Sequence, residues 1–368
     1  MPWKSRNLPV KSILNPYKTV IRGVPSIQTK VDTTLQCSNN FGKLLEVHAL
    51  TRIDIEGCNM LPQKQTVGMF SGFNSFIYTP VVKSKTYYHL TLPQPPKKLV
   101  VHDVVCRMVQ VVEKKAMPFL SLVGDQPVYA LIVELKNENP TQFYGIFPPP
   151  GPFHAHCSFM AAINKRFMGS GLSDILVAAD VIAEGSVYQA LFGRHYKRGI
   201  RCLRLMYEAL VCLVIHKGLR DGINLPTDMQ MKIDGLRDPS AYSQEEVKAV
   251  MDDLQSDSDF SAYVNTILVN MDRLDTAMAK YWKTFMDIVQ ILFMNIHALQ
   301  TRSWDMFKLS LRLMLHWLYI YDNDKYSKWL LYFWLQITSL PEVHADYMAQ
   351  LFSQSITGKP YSCVPYDL

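Results

Sequence analysis

The stretch "KKAMPFLSLVGDQPVYALIVELK", Lys114–Lys136, decides the fold class of this chain. Its apolar run Phe119–Val123 predicts a strand, and a helix-like pattern opens with Gln126-Pro127. Asp125 therefore stands where a strand passes into a helix. In open α/β sheets this position gathers ligand and metal groups, but it is also where an ordinary helix N-cap lies. The stretch alone leaves both interpretations open.

The composition predicts a sizeable buried core. Of the 368 residues, 48% are hydrophobic and 19% are charged, which excludes a globally disordered chain. The positive charge is concentrated at the front, since residues 1–115 carry 16 Lys and Arg against 6 Asp and Glu, a net charge of +10. A basic front segment is compatible with a nucleic-acid partner and equally with a solvated face.

The cysteine pattern indicates a reducing compartment. The 7 cysteines are odd in number, widely spaced and without a C-x-x-C pair, which argues against a disulfide framework and a zinc finger. The N-terminus has no signal-peptide pattern, and the longest apolar stretches reach about half of the ~20 residues that a membrane helix needs. The sequence therefore predicts a soluble intracellular protein, nuclear or cytoplasmic, with no membrane partner.

The chain changes character at Pro152. We predict an extended basic arm at 1–40, a strand-containing α/β core at 41–155, a helical region at 156–357 and a tail at 358–368. Strand-like runs in the core are "LLEVHALTRIDIEG", "FLSLVGD" and "TQFYGIFPPPG", whereas capping-box patterns at Ser186 and Ser243 predict helix starts. The predicted fold class is α+β, a small mixed sheet followed by a large, mostly helical region.

Two carboxylates and an imidazole occupy matching places in the strand-like runs. Asp54 lies late in the first run, Asp125 directly follows the next, and His154 comes just after the last. If these strands are neighbours, the three side chains meet at one sheet edge, a set suited to a divalent metal that activates water for phosphoryl transfer. The alternative is that Asp125 is an N-cap and His154 only starts a helix.

A second candidate is a basic helix, "GRHYKRGIRCLRLMYEALVCLV", at 193–214. Helical spacing puts several cations on one side, where they can contact phosphates. These predicted nucleic-acid-binding residues are Arg194, Lys197, Arg198, Arg201 and Arg204. The competing interpretation is an amphipathic core helix with a wet basic face. Its apolar stripe consists of Ile200, Leu203, Tyr207, Leu210 and Val214.

Several motifs occur in an order that resembles a large family of uncharacterised proteins of animal genomes, encoded by mobile elements or derived from them. The motifs are "GDQPVYALI", "GPFHAHCSFMAAINKRFMGSGLSDIL", "GRHYKRGIRCLRLMYEAL", the aromatic helices of 281–334 and "VPYDL". The resemblance covers roughly residues 45 to 368. It implies a transposase-related protein with an RNase H-like core, in which Asp54 and Asp125 are the catalytic pair and Mg²⁺ or Mn²⁺ is the cofactor if the protein is catalytic.

The chain departs from that family pattern in ways that predict weak catalysis. Lys325 replaces an Asn and Lys328 replaces an Arg, so a planar, bidentate donor is lost. The strand before His154 is rich in proline. Relatives continue beyond Leu368 with a further acidic residue, so we expect this chain to lack a third carboxylate.

Three functional hypotheses follow from the sequence. The first is a transposon-derived, catalytically inactive protein that binds nucleic acid or a protein partner. The second is a metal-dependent transposase or nuclease, and the third is a non-functional fragment of a mobile-element reading frame.

Overall fold

Helices dominate the structure, which is a computed structural model. It describes residues 97–355 except 118, 238–242, 274 and 322, together with positions 41–43, 45, 47, 50, 53, 54, 59, 60, 363 and 364. In chain order the helices with defined ends are α1 (Lys98–Lys115), α2 (Gln126–Glu138), α3 (Pro152–Phe167), α4 (Leu172–Ala178), α5 (Glu184–Leu191), α6 (Tyr196–Arg220), α7 (Thr227–Gly235), α8 (Gln244–Ser256), α9 (Ser258–Asp272), α10 (Ala277–Thr301), α11 (Trp304–Ile320), α12 (Asp324–Thr338) and α13 (Glu342–Leu351). The predicted arm at 1–40 lies outside the described residues.

The strands are short and pair two by two. They are β1 (Ile53–Asp54), β2 (Asn59–Met60), β3 (Leu120–Ser121), β4 (Ile146–Phe147), β5 (Gln354–Ser355) and β6 (Cys363–Val364). β1 and β2 pair antiparallel, as do β5 and β6, whereas β3 and β4 pair in parallel. The predicted α+β class is thus confirmed in its broad form. The described strands form three separate pairs, and they do not show an RNase H-like sheet.

The parallel pair forms a small β-α-β unit around the stretch Lys114–Lys136. β3 leads through Asp125 into α2, and the chain returns along β4 beside β3. A further parallel bridge joins Gly124 to Pro150, where the Gly151 N–H donates to the Gly124 carbonyl oxygen at 2.8 Å. The starts of α2 and α3 consequently lie side by side at the carboxyl ends of two neighbouring strands.

Two local predictions are wrong. Among its described positions, the run "LLEVHALTRIDIEG" is helical at 45, 47 and 50 and extended at 53 and 54, and Leu45, Val47 and Leu50 are all buried in the core. Packing in that core overrides the local preference for a strand. The capping box at Ser243 is confirmed, whereas α5 starts two residues before Ser186.

A single large hydrophobic cluster runs through most of the described chain, from Phe41 to Phe352. The successive helices α10, α11 and α12 pack on one another, and α10 also contacts α3, α6 and α9. A smaller cluster, which includes Val105, Ile132 and Phe143, fills the space between α1, α2 and the parallel strands. Residues from both predicted segments, 41–155 and 156–357, share the large cluster.

One face of α6 packs into the large hydrophobic cluster. The predicted stripe of α6 is confirmed as its core face, because Ile200, Leu203 and Tyr207 are buried and the rest of the stripe packs against the same cluster. α5 packs against the start of α6. Among the described helices none is long and apolar enough to cross a membrane.

Candidate functional site

The structure gives Asp125 a defined partner. It is the N-cap of α2, and its carboxylate accepts a hydrogen bond from the Val128 N–H at 3.2 Å. A capping side chain satisfies one of the free amides at a helix start, so the sequence Gly-Asp-Gln-Pro has a complete structural explanation. The N-cap alternative for Asp125 is confirmed.

The other two members of the predicted metal set stand on other elements than Asp125. His154 lies in the first turn of α3 with its side chain exposed, and its ring contacts that of Phe153 edge-on at 5.2 Å. Asp54 ends β1, which pairs with β2 and not with the parallel strands, and its side chain lies outside the described residues. Within the described part of the chain no three His, Cys, Asp or Glu side chains are grouped to hold a metal ion. A metal role for Asp54, Asp125 and His154 stays a prediction.

The basic helix has a group of exposed cations at its start, which we call the cationic cluster. It consists of Arg194, Lys197, Arg198 and Arg201, all exposed. Arg204, the fifth predicted residue, differs from them because it is half-buried, with its guanidinium carbon 6.0 Å from the centre of the Phe293 ring. The cluster therefore occupies the turn before α6 and the first turn and a half of that helix.

A tight turn between α5 and α6 fixes the cluster to the core. The backbone carbonyl of Gln189 accepts hydrogen bonds from the N–H groups of Arg194 (2.9 Å) and His195 (3.3 Å). Gly193 has a φ of +80°, and a Cβ there would lie 2.9 Å from the Cys157 Cα. Only glycine fits such a left-handed and crowded position without strain. The Gln189 side chain also accepts from Arg194 at 3.0 Å, which orders the first cation of the cluster.

The first residue of α6, Tyr196, is tied to a buried polar network. Its hydroxyl lies 3.1 Å from His156 Nδ1, and His156 Nε2 lies 2.7 Å from Asn295 Oδ1. Asn295 Nδ2 donates to Ser310 Oγ at 2.8 Å, and the Ser310 hydroxyl donates to the Phe307 carbonyl oxygen at 3.0 Å. The network joins four helices, α6, α3, α10 and α11.

The hydrogen-bond roles in this network follow from its acceptors. Because Asn295 Oδ1 can only accept, His156 Nε2 carries the proton and the unprotonated Nδ1 accepts from the Tyr196 hydroxyl. Burial lowers the pKa of His156 to about 4, and the hydrogen bond with Asn295 opposes that shift. The imidazole is therefore neutral at pH 7, and it can hold Tyr196, and with it the first turn of α6, in a fixed position.

Several basic side chains of the structure are paired with carboxylates, whereas those of the cationic cluster have no such partner among the described residues. Lys217, Lys232 and Lys308, for example, each form an ion pair with an aspartate. By contrast, the described residues provide no carboxylate within ion-pair distance of Lys197, Arg198 or Arg201. His195, the N-cap of α6, makes no side-chain cap bond, and the amino end of a helix carries a partial positive charge. Four exposed cations at and just before this helix start therefore concentrate positive charge on one surface.

Comparison with known proteins assigns the chain to a family but gives no activity. A family described as a domain of unknown function (DUF8702) matches residues 70–368, so the chain belongs to that family. No curated protein and no solved structure matches it.

Proposed function

We propose that this protein binds the phosphate backbone of nucleic acid through the cationic cluster and does not itself cleave it. The observation that carries the proposal is the set of exposed cations that lack carboxylate partners among the described residues and are grouped at the start of one helix. Exposed Lys and Arg contact phosphates and release their counterions, which drives binding that is independent of base sequence.

The anchoring of the cluster supports the same proposal. The Gly193 turn and the Tyr196–His156 hydrogen bond hold the backbone that carries the cations. A fixed backbone reduces the conformational entropy that is lost when a ligand binds. A cluster that served only to keep the protein in solution would not need this support.

The non-catalytic part of the proposal rests on Asp125. Its carboxylate is engaged with the Val128 N–H and acts as a helix cap. The alternative, a metal-dependent nuclease, is favoured by one observation, namely that the starts of α2 and α3 lie together at the carboxyl ends of parallel strands. Descent from a mobile-element protein, an RNase H-like core and a nuclear or cytoplasmic location remain predictions.

The test is the salt dependence of binding. Binding of a labelled 20-base-pair duplex is measured by fluorescence anisotropy at several salt concentrations. The double substitution Lys197→Ala with Arg201→Ala should flatten the slope of log affinity against log salt by roughly two units, about one for each lost phosphate contact. The matched control is Lys217→Ala with Arg220→Ala, which removes the same charge from the last turn of the same helix. Equal slopes for the two double variants, or no binding of the parent protein to either a duplex or a single strand, would refute the proposal.

The nuclease alternative is tested with the same protein. Cleavage of a supercoiled plasmid in Mg²⁺ or Mn²⁺ that is lost in Asp125→Asn would replace the non-catalytic proposal. This substitution keeps the capping oxygen and removes the charge that a metal needs, so the loss would not reflect unfolding.

A further inference from the structure

An exposed aromatic side chain lies on α5, one residue before Gln189. Tyr188 is 48% exposed, and its ring lies 4.3 Å from that of Phe192 at an angle of 34°. Gln189 binds Arg194 through its side chain and closes the turn through its carbonyl. Tyr188 thus presents an exposed ring in the same helix turn as the residue that binds the first cation of the cluster.

Aromatic rings adjoin the cluster at a second place, at the start of α6. The Phe153 ring contacts that of Tyr196 edge-on at 5.0 Å and that of the exposed His154 at 5.2 Å. Tyr196 directly precedes Lys197 in the chain. Planar side chains therefore occur on both sides of the turn that carries Arg194, and the other cations of the cluster follow Tyr196 in the sequence.

We propose that the nucleic acid bound by this surface is single-stranded, and that Tyr188 stacks against one of its bases. This inference rests on the proposed function and specifies its ligand. Proteins that bind single strands combine a positively charged surface along the backbone with aromatic rings on which bases stack, and such stacking tolerates any base sequence.

The exposed ring favours a single strand over a duplex. Base faces are covered inside a duplex, so a duplex would leave Tyr188 without a stacking partner, whereas an unpaired base can reach it. The half-buried Phe192 contacts the Tyr188 ring, which limits the freedom that the ring loses on binding. Glu184, exposed one turn before Tyr188, disfavours phosphates at that end of α5 and directs the strand towards Arg194.

The experiment compares two probes of equal length. A labelled 20-nucleotide oligothymidylate and a blunt 20-base-pair duplex are titrated with the full chain and followed by fluorescence anisotropy. The variants are Tyr188→Ala, Tyr188→Phe, which keeps the ring, and Tyr144→Ala, which removes another exposed tyrosine (74% exposed) in the segment between α2 and β4.

The parent should bind the oligothymidylate more tightly than the duplex. Tyr188→Ala should weaken oligothymidylate binding by roughly 5- to 150-fold, the range that corresponds to the loss of one stacked base, and should leave duplex binding and the salt slope unchanged. Tyr188→Phe and Tyr144→Ala should behave as the parent does.

Four results would overturn the inference, and they separate it from the proposed function. If the parent binds both probes equally, or if Tyr188→Ala has no effect, the single-strand inference fails while phosphate binding stands. If heparin, a polyanion without bases, loses affinity equally in Tyr188→Ala, the ring does not stack on bases. If neither probe binds, both proposals fail, and an acidic protein partner becomes the better explanation of the cluster.

Discussion

The neutral His156 makes the stability of this protein sensitive to acid, and the size of the effect follows from its pKa. The folded protein holds that pKa at about 4, against about 6.5 in an unfolded chain. Because the folded value is the lower one, the stabilising contribution is complete above about pH 6.5 and is lost as the pH falls towards 4. The full difference corresponds to about 3 kcal/mol, and about 2 kcal/mol of it is lost by pH 5.

The substitution His156→Gln isolates this contribution. Glutamine does not titrate, so the variant should be less stable than the parent at pH 7.5 and should lose about 2 kcal/mol less on transfer to pH 5. Burial also lowers the pKa of His297 to about 3. The stability that His297 loses in acid is the same in the parent and in the variant, so it cancels in the comparison. Urea denaturation at pH 7.5, 6 and 5 gives the free energies of unfolding.

The control is His154→Gln, two residues away on the exposed side of α3. The free energy of unfolding of this variant should change with pH as that of the parent does. If His156→Gln shows the same pH dependence as the parent, His156 is not held neutral by burial. The hydrogen-bond roles assigned to the Tyr196–His156–Asn295 network would then be wrong as well.

Two further predictions concern local backbone structure. Gly193→Ala should destabilise the protein by about 1–3 kcal/mol in urea denaturation, because Gly193 has a positive φ and lies close to Cys157. The control, Gly185→Ala, lies in open space on α5 and should be neutral or stabilising by up to about 1 kcal/mol. Equal effects of the two substitutions would contradict the strained turn. Asp125→Ala should cost about 0.5–2 kcal/mol and Asp125→Asn much less, since asparagine keeps the oxygen that accepts from Val128. A large loss in Asp125→Asn would show that the charge, and not the cap, matters.

Local features of this fold can be predicted from the sequence. The Gly-Asp-Gln-Pro stretch correctly places a strand end and a helix start, the capping box at Ser243 is present, and the apolar stripe of α6 faces the core. Each of these depends on residues within a few positions of one another. Capping and helical periodicity are short-range effects, which is why they can be read from one chain.

The long-range features could not be predicted from the sequence. The hydrogen bond between His156 and Asn295 joins residues 139 positions apart, and neither residue lies in a sequence motif that predicts the other. The paired strands are two residues long, too short for a pattern of alternation to form. The exposure of Tyr188 depends on how α5 packs against α6, so a helical aromatic could not be told from a core residue in advance.

The buried network also has a consequence for how the chain is made. His156 leaves the ribosome 139 residues before Asn295, an interval of roughly 7–28 s at ordinary rates of synthesis. During that time the Nε2 edge of its ring has only water as a partner, and its burial without Asn295 would leave that nitrogen unsatisfied. Tyr196 follows His156 by 40 positions, so it is synthesised before Asn295 and can already hydrogen-bond to Nδ1. The face of α3 that carries Nε2 is therefore completed only when α10 is synthesised.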